Sequence, residues 1–274
     1  MPGQKVMAAS IFLGTQGWNY EGWVGPFYPR GSKAKELLSL YANIFDSVEV
    51  DSSFYAIPSE NSIKGWAERT PKSFKFSLKL PSEITHKNRL RDSQAILEQF
   101  MQRISLLGDK LGCVLIQLPP DFSPNEHAAL RNFIDQLPPE ARFAVEFRDA
   151  NWLNDATVEL LARRNIALAL TDSRWIHRTL SFRIIDSYPA DFAYVRWLGP
   201  RELTDYSRIQ IDRSREMAQW ADAFAALKEK VSCVFGYFNN HFQGHSPASC
   251  NQFKELLGLP VTRPDALVKQ PSLF

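Results

Sequence analysis

The sequence predicts an α/β fold in which one parallel, eight-stranded sheet closes into a (β/α)8 barrel of the TIM type. Eight short β-rich segments alternate with longer amphipathic segments along the chain, and this alternation calls for a parallel sheet with right-handed crossovers. The length of 274 residues is ordinary for a barrel that forms a single domain. The glycine-rich GxGxxG turn that often follows the first strand of an open sheet is absent. We therefore expect one barrel domain over residues 1–274, with its core at about 11–260 and short extensions at both ends.

The predicted strands are short and rich in β-branched and aromatic residues. They are residues 11–18, 47–54, 74–80, 112–118, 142–149, 166–173, 192–199 and 233–240. The predicted helices are residues 33–44, 60–69, 93–109, 125–136, 154–164, 213–230 and 248–258. Helix 213–230, for example, repeats Met217, Trp220, Phe224 and Leu227 at helical spacing. The stretch 173–191 is the least regular, and we expect it to form a long loop over the carboxyl ends of the strands.

Composition points to a globular protein of the cytoplasm. The formal net charge is +2, which is too small to imply nucleic-acid binding by itself. No apolar run is long enough to span a bilayer, and the first residues lack the apolar region of a secretory signal. The three cysteines, Cys113, Cys233 and Cys250, are far apart and odd in number, which argues against a disulfide framework and for a reducing compartment. We expect no membrane association, and the oligomeric state is left open.

Polar or ionised side chains stand near the carboxyl end of nearly every predicted strand. In residues 74–80 the phenylalanines and leucines must face the helices, so alternation directs Lys79 into the barrel. The same alternation directs Glu49 and Asp51 inward on the second strand, and Glu146 and Arg148 on the fifth. The remaining strand-end residues are Gln117, Asp172, Arg196, Asn239 and Asn240.

These strand ends predict a functional pocket. The interior of such a barrel is normally packed with branched apolar side chains, whereas catalytic groups sit at the carboxyl ends of the strands. Burying charges is costly unless they are paired. The alternative is a closed ion-pair network without function, with Glu49 paired to Lys79 and Glu146 paired to Arg148 or Arg196.

The loops that follow the strands add aromatic and basic candidates. As catalytic residues we nominate Glu49, Asp51, Lys79, Glu146 and Asp172. As substrate-binding residues we nominate Trp18, Tyr20, Tyr55, His86, Arg89, Gln117, Arg148, Arg196, Asn239 and Asn240. The five histidines show no HxH or HExxH spacing, so we expect no metal and no cofactor.

At these residues the sequence resembles the YecE-like proteins, also called domain of unknown function 72. The matching stretches are 14–23, 27–29, 48–58, 74–90, 115–120, 144–152, 194–199 and 237–244. The resemblance implies a barrel fold and a pocket but no reaction, because the role of that family is not established. Asp51 departs from the family pattern, where asparagine is usual, and so do Gln16, Asp149 and Asn151. Asp51 adds a carboxylate to the pocket.

Two classes of function fit these residues. The first is an enzyme of hydrolase or lyase type that acts on a small anionic or sugar-like substrate, with carboxylates for acid and base roles and Lys79, Arg148 and Arg196 for an anionic group. A Schiff base on Lys79 is less favoured, because Glu49 and Asp51 on the neighbouring strand should keep the amine protonated.

The second class is binding without turnover. A nucleotide or a single-stranded nucleic acid would use the basic segment 64–91 together with the loop aromatics as a stacking surface. Such binding would depend steeply on salt. The small-molecule ligand is the favoured partner, and nucleic acid is the alternative.

Overall fold

The computed structural model describes residues 9–200 and 202–267, which form one parallel sheet surrounded by helices. The strands are β1 (Ser10–Gln16), β2 (Ser47–Val50), β3 (Lys75–Lys79), β4 (Leu111–Gln117), β5 (Phe143–Glu146), β6 (Ala167–Leu168), β7 (Leu170–Ser173), β8 (Phe192–Gly199) and β9 (Cys233–Phe238). The described residues therefore contain nine strands rather than the predicted eight. The extra strand arises because the predicted strand 166–173 is divided at Ala169 into β6 and β7.

The sheet is nearly closed into a barrel. Its strand order is β6-β5-β4-β3-β2-β1-β9-β8-β7, and every pairing is parallel. The two strands at the ends of this order, β6 and β7, are separated along the chain by Ala169 alone. The backbone N–H of Ala169 donates to the carbonyl of Val145 at 2.9 Å, so the dividing residue itself still bonds to β5.

The helices that cover the sheet are α1 (Ala34–Ala42), α2 (Glu60–Glu68), α3 (Gln94–Ile104), α4 (His127–Asp135), α5 (Asp155–Ala162), α6 (Arg178–Arg183), α7 (Ser214–Lys228), α8 (Asn240–Gln243) and α9 (Ser246–Leu256). The predicted helix 93–109 is shorter than expected, because a 3₁₀ segment begins at Ser105 and Gly108 leaves the helical region with a φ of 53°. The prediction of a long loop over residues 173–191 was also wrong, because this stretch contains α6. None of the helices in the described ranges is long and apolar enough to cross a membrane.

Two layers of apolar packing set the faces of the strands. The outer layer lies between sheet and helices and includes Val48, Phe76 and Trp197. The inner layer fills the barrel with aromatic and small side chains, among them Phe235 and Ala144. Since successive residues of a strand alternate between these layers, each polar residue at a strand end belongs to one layer or the other.

A hydroxyl cluster lies in the middle of the barrel. The Tyr237 hydroxyl is 2.5 Å from the Ser47 hydroxyl and 2.8 Å from that of Ser77. Gly14 leaves no room for a side chain here, since a Cβ added to it would lie 1.9 Å from the Ser47 carbonyl oxygen. The interior thus changes from apolar at the amino ends of the strands to polar towards their carboxyl ends.

Candidate functional site

The guanidinium of Arg196, in β8, lies at the centre of the charged groups at the carboxyl ends of the strands. Its Nε and Nη2 donate to the two carboxylate oxygens of Glu49 at 2.9 and 2.6 Å, and its Nη1 donates to Glu146 Oε2. The Tyr194 hydroxyl also donates to Glu49, at 2.7 Å, and Gln117 Nε2 donates to Glu146 at 2.8 Å. The side chains of Arg196, Glu49 and Glu146 are 1%, 0% and 1% exposed, so this part of the site is sealed from water.

We call the whole region the mouth. It comprises Gln16, Glu49, Asp51, Lys79, Gln117, Glu146, Arg148 and Arg196. Strand register explains why these side chains meet: Gln16 pairs with Glu49 across β1 and β2, and Gln117 pairs with Glu146 across β4 and β5. These charged side chains therefore lie together at the carboxyl ends of the strands.

The closed-network alternative describes only the buried half of the mouth. Glu146 contacts both Arg196 and Arg148, as that alternative proposed. The pairing of Glu49 with Lys79 was wrong, because Glu49 takes Arg196 as its partner and Lys79 lies against Asp51.

The two buried carboxylates have different acidities. Burial raises the pKa of Glu49 above its ordinary value, although Arg196 partly offsets this effect. Burial also disfavours the charge on Glu146, but the positive charges of Arg196 and Arg148 outweigh it and hold the pKa of Glu146 at about 2. Glu146 is therefore a fixed negative charge at neutral pH and a poor proton donor.

Asp51 and Lys79 form the part of the mouth that water reaches. Lys79 Nζ lies 3.3 Å from Asp51 Oδ1, and Arg196 Nη2 lies 3.8 Å from the same oxygen. The Asp51 side chain is 33% exposed, whereas that of Lys79 is 8% exposed and has its ammonium 4.3 Å from the centre of the Phe54 ring. Burial lowers the pKa of Lys79, and although Asp51 opposes this, Arg196 adds to it. The sequence argument that Glu49 and Asp51 would dominate was wrong, since burial is the larger influence.

Arg148 extends the mouth towards the segment after β7. Its Nε lies 3.3 Å from Glu146 Oε1, and its guanidinium lies 4.0 Å from the centre of the Trp175 ring. Arg174 also contacts that ring, at 4.4 Å. Trp175 therefore has two guanidinium groups against it at the edge of the mouth.

His86 lies beside the mouth, in a π-helical turn over residues Glu83–Lys87. Its Nδ1 is 2.9 Å from the Thr85 hydroxyl, and its ring packs edge to face on Phe54 at 4.9 Å. Burial, followed by the positive charges of Arg148 and Lys79, lowers the pKa of His86 to about 4. The imidazole is therefore neutral at pH 7.

A cavity of about 360 Å³ opens beside Asp51. It is lined by residues from the loops after β1 and β2, including Trp18, Tyr20 and Ser52, and by Trp66 of α2. The Trp18 and Trp66 rings meet at 83° with their centres 5.7 Å apart. The Tyr20 hydroxyl donates to the Gln16 carbonyl at 2.8 Å, which holds this ring over the end of β1.

Asp172 does not belong to the mouth. In the register between β7 and β8 it pairs with Trp197, which lies in the outer layer, whereas its neighbour Thr171 pairs with Arg196. Its Oδ2 accepts from Trp220 Nε1 at 3.1 Å, so the carboxylate faces α7. Burial raises the pKa of Asp172.

Three nominated binding residues also lie away from the ion cluster. Arg89 forms ion pairs with Glu126 and with Asp121, in a separate group on the surface. Tyr55 is 82% exposed. Asn240 is buried, and its Oδ1 accepts from the Trp23 indole at 3.1 Å and from Ser246, which ties α8 to α9. Asn239, in contrast, donates to Gln16 Oε1 at 2.7 Å, within the mouth.

The basic segment 64–91 is divided between local contacts. Lys64 pairs with Glu60 one helical turn away at 3.6 Å, and Lys75 Nζ donates to the Asp109 carbonyl at 2.5 Å. Its cations therefore do not form one continuous surface, because Lys79 faces the mouth and Arg89 faces the surface cluster.

Sequence reasoning missed two tyrosines and one tryptophan near the mouth. Tyr194 stands two residues before Arg196, so alternation along β8 could have placed both on the inner face. Tyr237 could have been found in the same way on β9. Trp175 had no comparable signal, because it follows β7 in a stretch without regular alternation.

The charges of the mouth balance. Three cations, Lys79, Arg148 and Arg196, face three carboxylates, Glu49, Asp51 and Glu146. Within residues 9–200 and 202–267, no group of three or more histidine, cysteine or acidic side chains is arranged to hold a metal ion.

A larger cavity, of about 560 Å³, lies at the amino ends of the strands and is lined by Arg142, Arg163 and Arg164 among others. We place the candidate site at the mouth because ionised groups converge there, and because in barrels of this architecture active sites occupy the carboxyl ends of the strands.

Comparisons with known proteins give one family. The model of the family described as "Protein of unknown function DUF72" matches residues 12–272. The chain is 28% identical to the UPF0759 protein YecE of Escherichia coli K12 over 229 residues, covering 77% of this chain and 82% of that protein. It is 23% identical to the UPF0759 protein YunF of Bacillus subtilis over 271 residues, covering 91% and 95%.

Solved structures agree with this assignment. A DUF72 family protein of Thermotoga maritima superposes with a TM-score of 0.77 at 26% identity, covering 91% of this chain and 99% of that chain. A DUF72 family protein of Enterococcus faecalis superposes with a TM-score of 0.70 at 18% identity, covering 92% and 99%. With a family match over nearly its whole length and the same fold in solved members, this chain belongs to the DUF72 family, the YecE-like proteins.

Proposed function

We propose that the mouth is the active site of an enzyme of hydrolase or lyase type that acts on a small anionic or sugar-like substrate. The observation that supports this most directly is the division of the mouth into a sealed half and an open half. Glu49, Glu146 and Arg196 have their hydrogen-bonding groups occupied, whereas Asp51 keeps a third of its side chain in contact with water, 3.3 Å from Lys79. A small molecule that enters the opening can therefore reach this pair, whereas it cannot reach the sealed groups.

Asp51 and Lys79 are the groups we assign to proton transfer with the substrate. General acid and base catalysis is most efficient when the pKa of the group lies near the working pH. Burial moves the pKa of Lys79 downwards in that direction, and Asp51 is close enough to exchange a proton with it.

Glu49, Glu146 and Arg196 act as positioning residues in this proposal. Glu146 stays ionised and fixes Arg196, which lies 3.8 Å from Asp51. Such fixed charges stabilise a developing charge without having to reorganise during the reaction. The anionic group of the substrate would bind on the side of Arg148, away from the Asp51 carboxylate.

Two finer points of description belong to the same proposal. We propose to treat β6 and β7 as one strand interrupted at Ala169, which makes the sheet an eight-stranded (β/α)8 barrel. We also propose a cytoplasmic location, in keeping with three cysteines that are all free and buried.

The test is a turnover and binding screen with sugar phosphates and acidic sugars. We expect at least one probe to be converted, and both Asp51→Asn and Lys79→Met to reduce kcat by roughly 100-fold or more. Asp121→Asn, which changes an exposed carboxylate outside the mouth in the same way, is the matched control and should leave kcat unchanged.

Two results would contradict this function. One is a set of Asp51 and Lys79 variants with the kcat of the original protein. The other is the absence of any converted or bound small molecule together with tight, steeply salt-dependent binding of single-stranded nucleic acid, which would favour the second class of function.

A further inference from the structure

Two buried polar atoms of the mouth have no hydrogen-bond partner among the described residues: Gln16 Nε2 and Asp51 Oδ1. Gln16 is 1% exposed. A donor or acceptor in such a position normally finds a partner, because leaving it unpaired costs about 1–3 kcal/mol. Lys79 and Arg196 lie near Asp51 Oδ1 as charges, but neither donates a hydrogen bond to it.

The orientation of the Gln16 amide follows from its neighbours. The backbone N–H of His241 donates to Asn239 Oδ1 at 2.9 Å, which leaves Asn239 Nδ2 as a donor. That group donates to Gln16 Oε1 at 2.7 Å, so the remaining group of Gln16 must be its NH₂. The unpaired atom on β1 is therefore a donor, and the unpaired atom after β2 is an acceptor.

These two atoms lie on neighbouring strand ends and on the same face of the sheet. Gln16 pairs with Glu49 across β1 and β2, and Asp51 follows Glu49 by two residues. A group that satisfies both must accept from Gln16 and donate to Asp51. A hydroxyl does both, whereas a phosphate or carboxylate oxygen only accepts and would be repelled by Asp51, and an ammonium only donates.

The cavity beside Asp51, which is also lined by Gly17 next to Gln16 along the chain, suits a ring that carries such a hydroxyl. Its volume of about 360 Å³ lies near the lower end of the range of roughly 300–1,000 Å³ for small-molecule pockets, so it has room for a sugar ring. Trp18 and Trp66 supply apolar walls at right angles, while Asp51 supplies the polar edge.

We propose that this cavity is a subsite for the hydroxylated ring of a monosaccharide unit, with one ring hydroxyl bound between Gln16 Nε2 and Asp51 Oδ1 and one ring face against Trp18. The proposal rests on the proposed function, since it assigns the non-reacting part of the same substrate. It names that substrate as a sugar derivative whose anionic group, when present, points away from Asp51 towards Arg148.

The first experiment alters the ligand and leaves the protein intact. Binding of neutral aldohexoses and aldopentoses is measured by calorimetry and by saturation-transfer NMR, and the best binder is then compared with its single-deoxy analogues. We expect one deoxy position to weaken binding roughly tenfold, because the two unpaired protein atoms then stay unpaired, and the other positions to change it much less. Equal affinities across the deoxy series, or no saturable binding of any sugar, overturn the subsite.

The second experiment uses Gln16→Met, which removes the donor while keeping the length of the side chain. We expect this variant to bind the parent sugar roughly tenfold more weakly. The further loss with the sensitive deoxy analogue should be smaller than in the original protein, because only the hydrogen bond to Asp51 is then left to lose. Its melting curve and a Gln136→Met control, on an exposed surface, separate this effect from unfolding. A Gln16→Met variant that folds and discriminates between the parent and the sensitive deoxy sugar as strongly as the original protein overturns the subsite.

The failure of the subsite and the failure of the proposed function give different results. Turnover that depends on Asp51 and Lys79 but on no sugar hydroxyl refutes the subsite alone. Sugar binding that depends on Gln16, without any conversion, supports the subsite and refutes the enzymatic proposal.

Discussion

Replacing Glu146 with glutamine removes one negative charge from the centre of the sealed half of the mouth and changes little else in shape. Glu146 is 1% exposed and contacts Arg196, Arg148 and Gln117. The difference between its ordinary pKa of 4.5 and its pKa of about 2 in the protein corresponds to roughly 3 kcal/mol of favourable interaction of the ionised form. We therefore expect Glu146→Gln to lower the free energy of unfolding at pH 7 by roughly 3 kcal/mol, within the range for breaking a buried ion pair.

The stabilisation by the ionised Glu146 should also depend on pH. The pKa of Glu146 is lower in the folded state than in the unfolded state, so its contribution is fully present above about pH 4.5 and is lost as the pH falls towards 2. The difference in the free energy of unfolding between the original protein and the variant should therefore be roughly half as large at pH 3 as at pH 7, or smaller. Urea unfolding at both pH values measures it, with Asp121→Asn as an exposed-carboxylate control expected to change stability by less than about 1 kcal/mol.

This reasoning is refuted if Glu146→Gln and the original protein unfold at the same urea concentration at pH 7. It is equally refuted if their difference is as large at pH 3 as at pH 7, because the stabilisation would then not depend on the charge of Glu146.

Two further predictions concern titratable groups outside the buried cluster. Asp172→Asn keeps the oxygen that accepts from Trp220 and removes a carboxylate whose pKa is raised by burial. Chemical unfolding at pH 7 should therefore show equal or greater stability of the variant. A loss of more than about 1 kcal/mol would speak against this reasoning. NMR titration of His86 should give a midpoint of about 4. Because this pKa is lower in the folded than in the unfolded state, the free energy of unfolding should rise with pH between about 4 and 6.5. A midpoint at 6.5 would show that burial, Arg148 and Lys79 do not act on His86 as described.

Alternation of side chains along the strands accounts for most of what the sequence could predict about the site. It placed Glu49, Lys79 and Glu146 on the inner face because apolar neighbours on the same strands had to face the helices. Applied to residues 166–173, the same argument would have placed Asp172 with Leu168 and Leu170 on the outer face, where the structure has it. The error came from judging Asp172 by its position at the end of the strand.

Other features lay beyond local patterns. The choice of Arg196 as the partner of Glu49 depends on which strands face each other across the barrel, and no spacing in the sequence specifies it. The division of the predicted strand at Ala169 likewise depends on where β5 and β8 stand. Arg89 lies in a loop, and its attachment to Glu126 could not be inferred from alternation.

The distances along the chain between partners in the mouth have a consequence for biosynthesis. Glu49 and Arg196 are 147 residues apart, and Gln16 and Asn239 are 223 residues apart. While the polypeptide is being made, Glu49 and Glu146 emerge before Arg196, and until β8 arrives the two carboxylates lack the cation that neutralises them in the finished barrel. Packing the mouth at that stage would bring three carboxylates together with only two cations, Lys79 and Arg148, so electrostatics favours late compaction of the nascent chain over premature collapse.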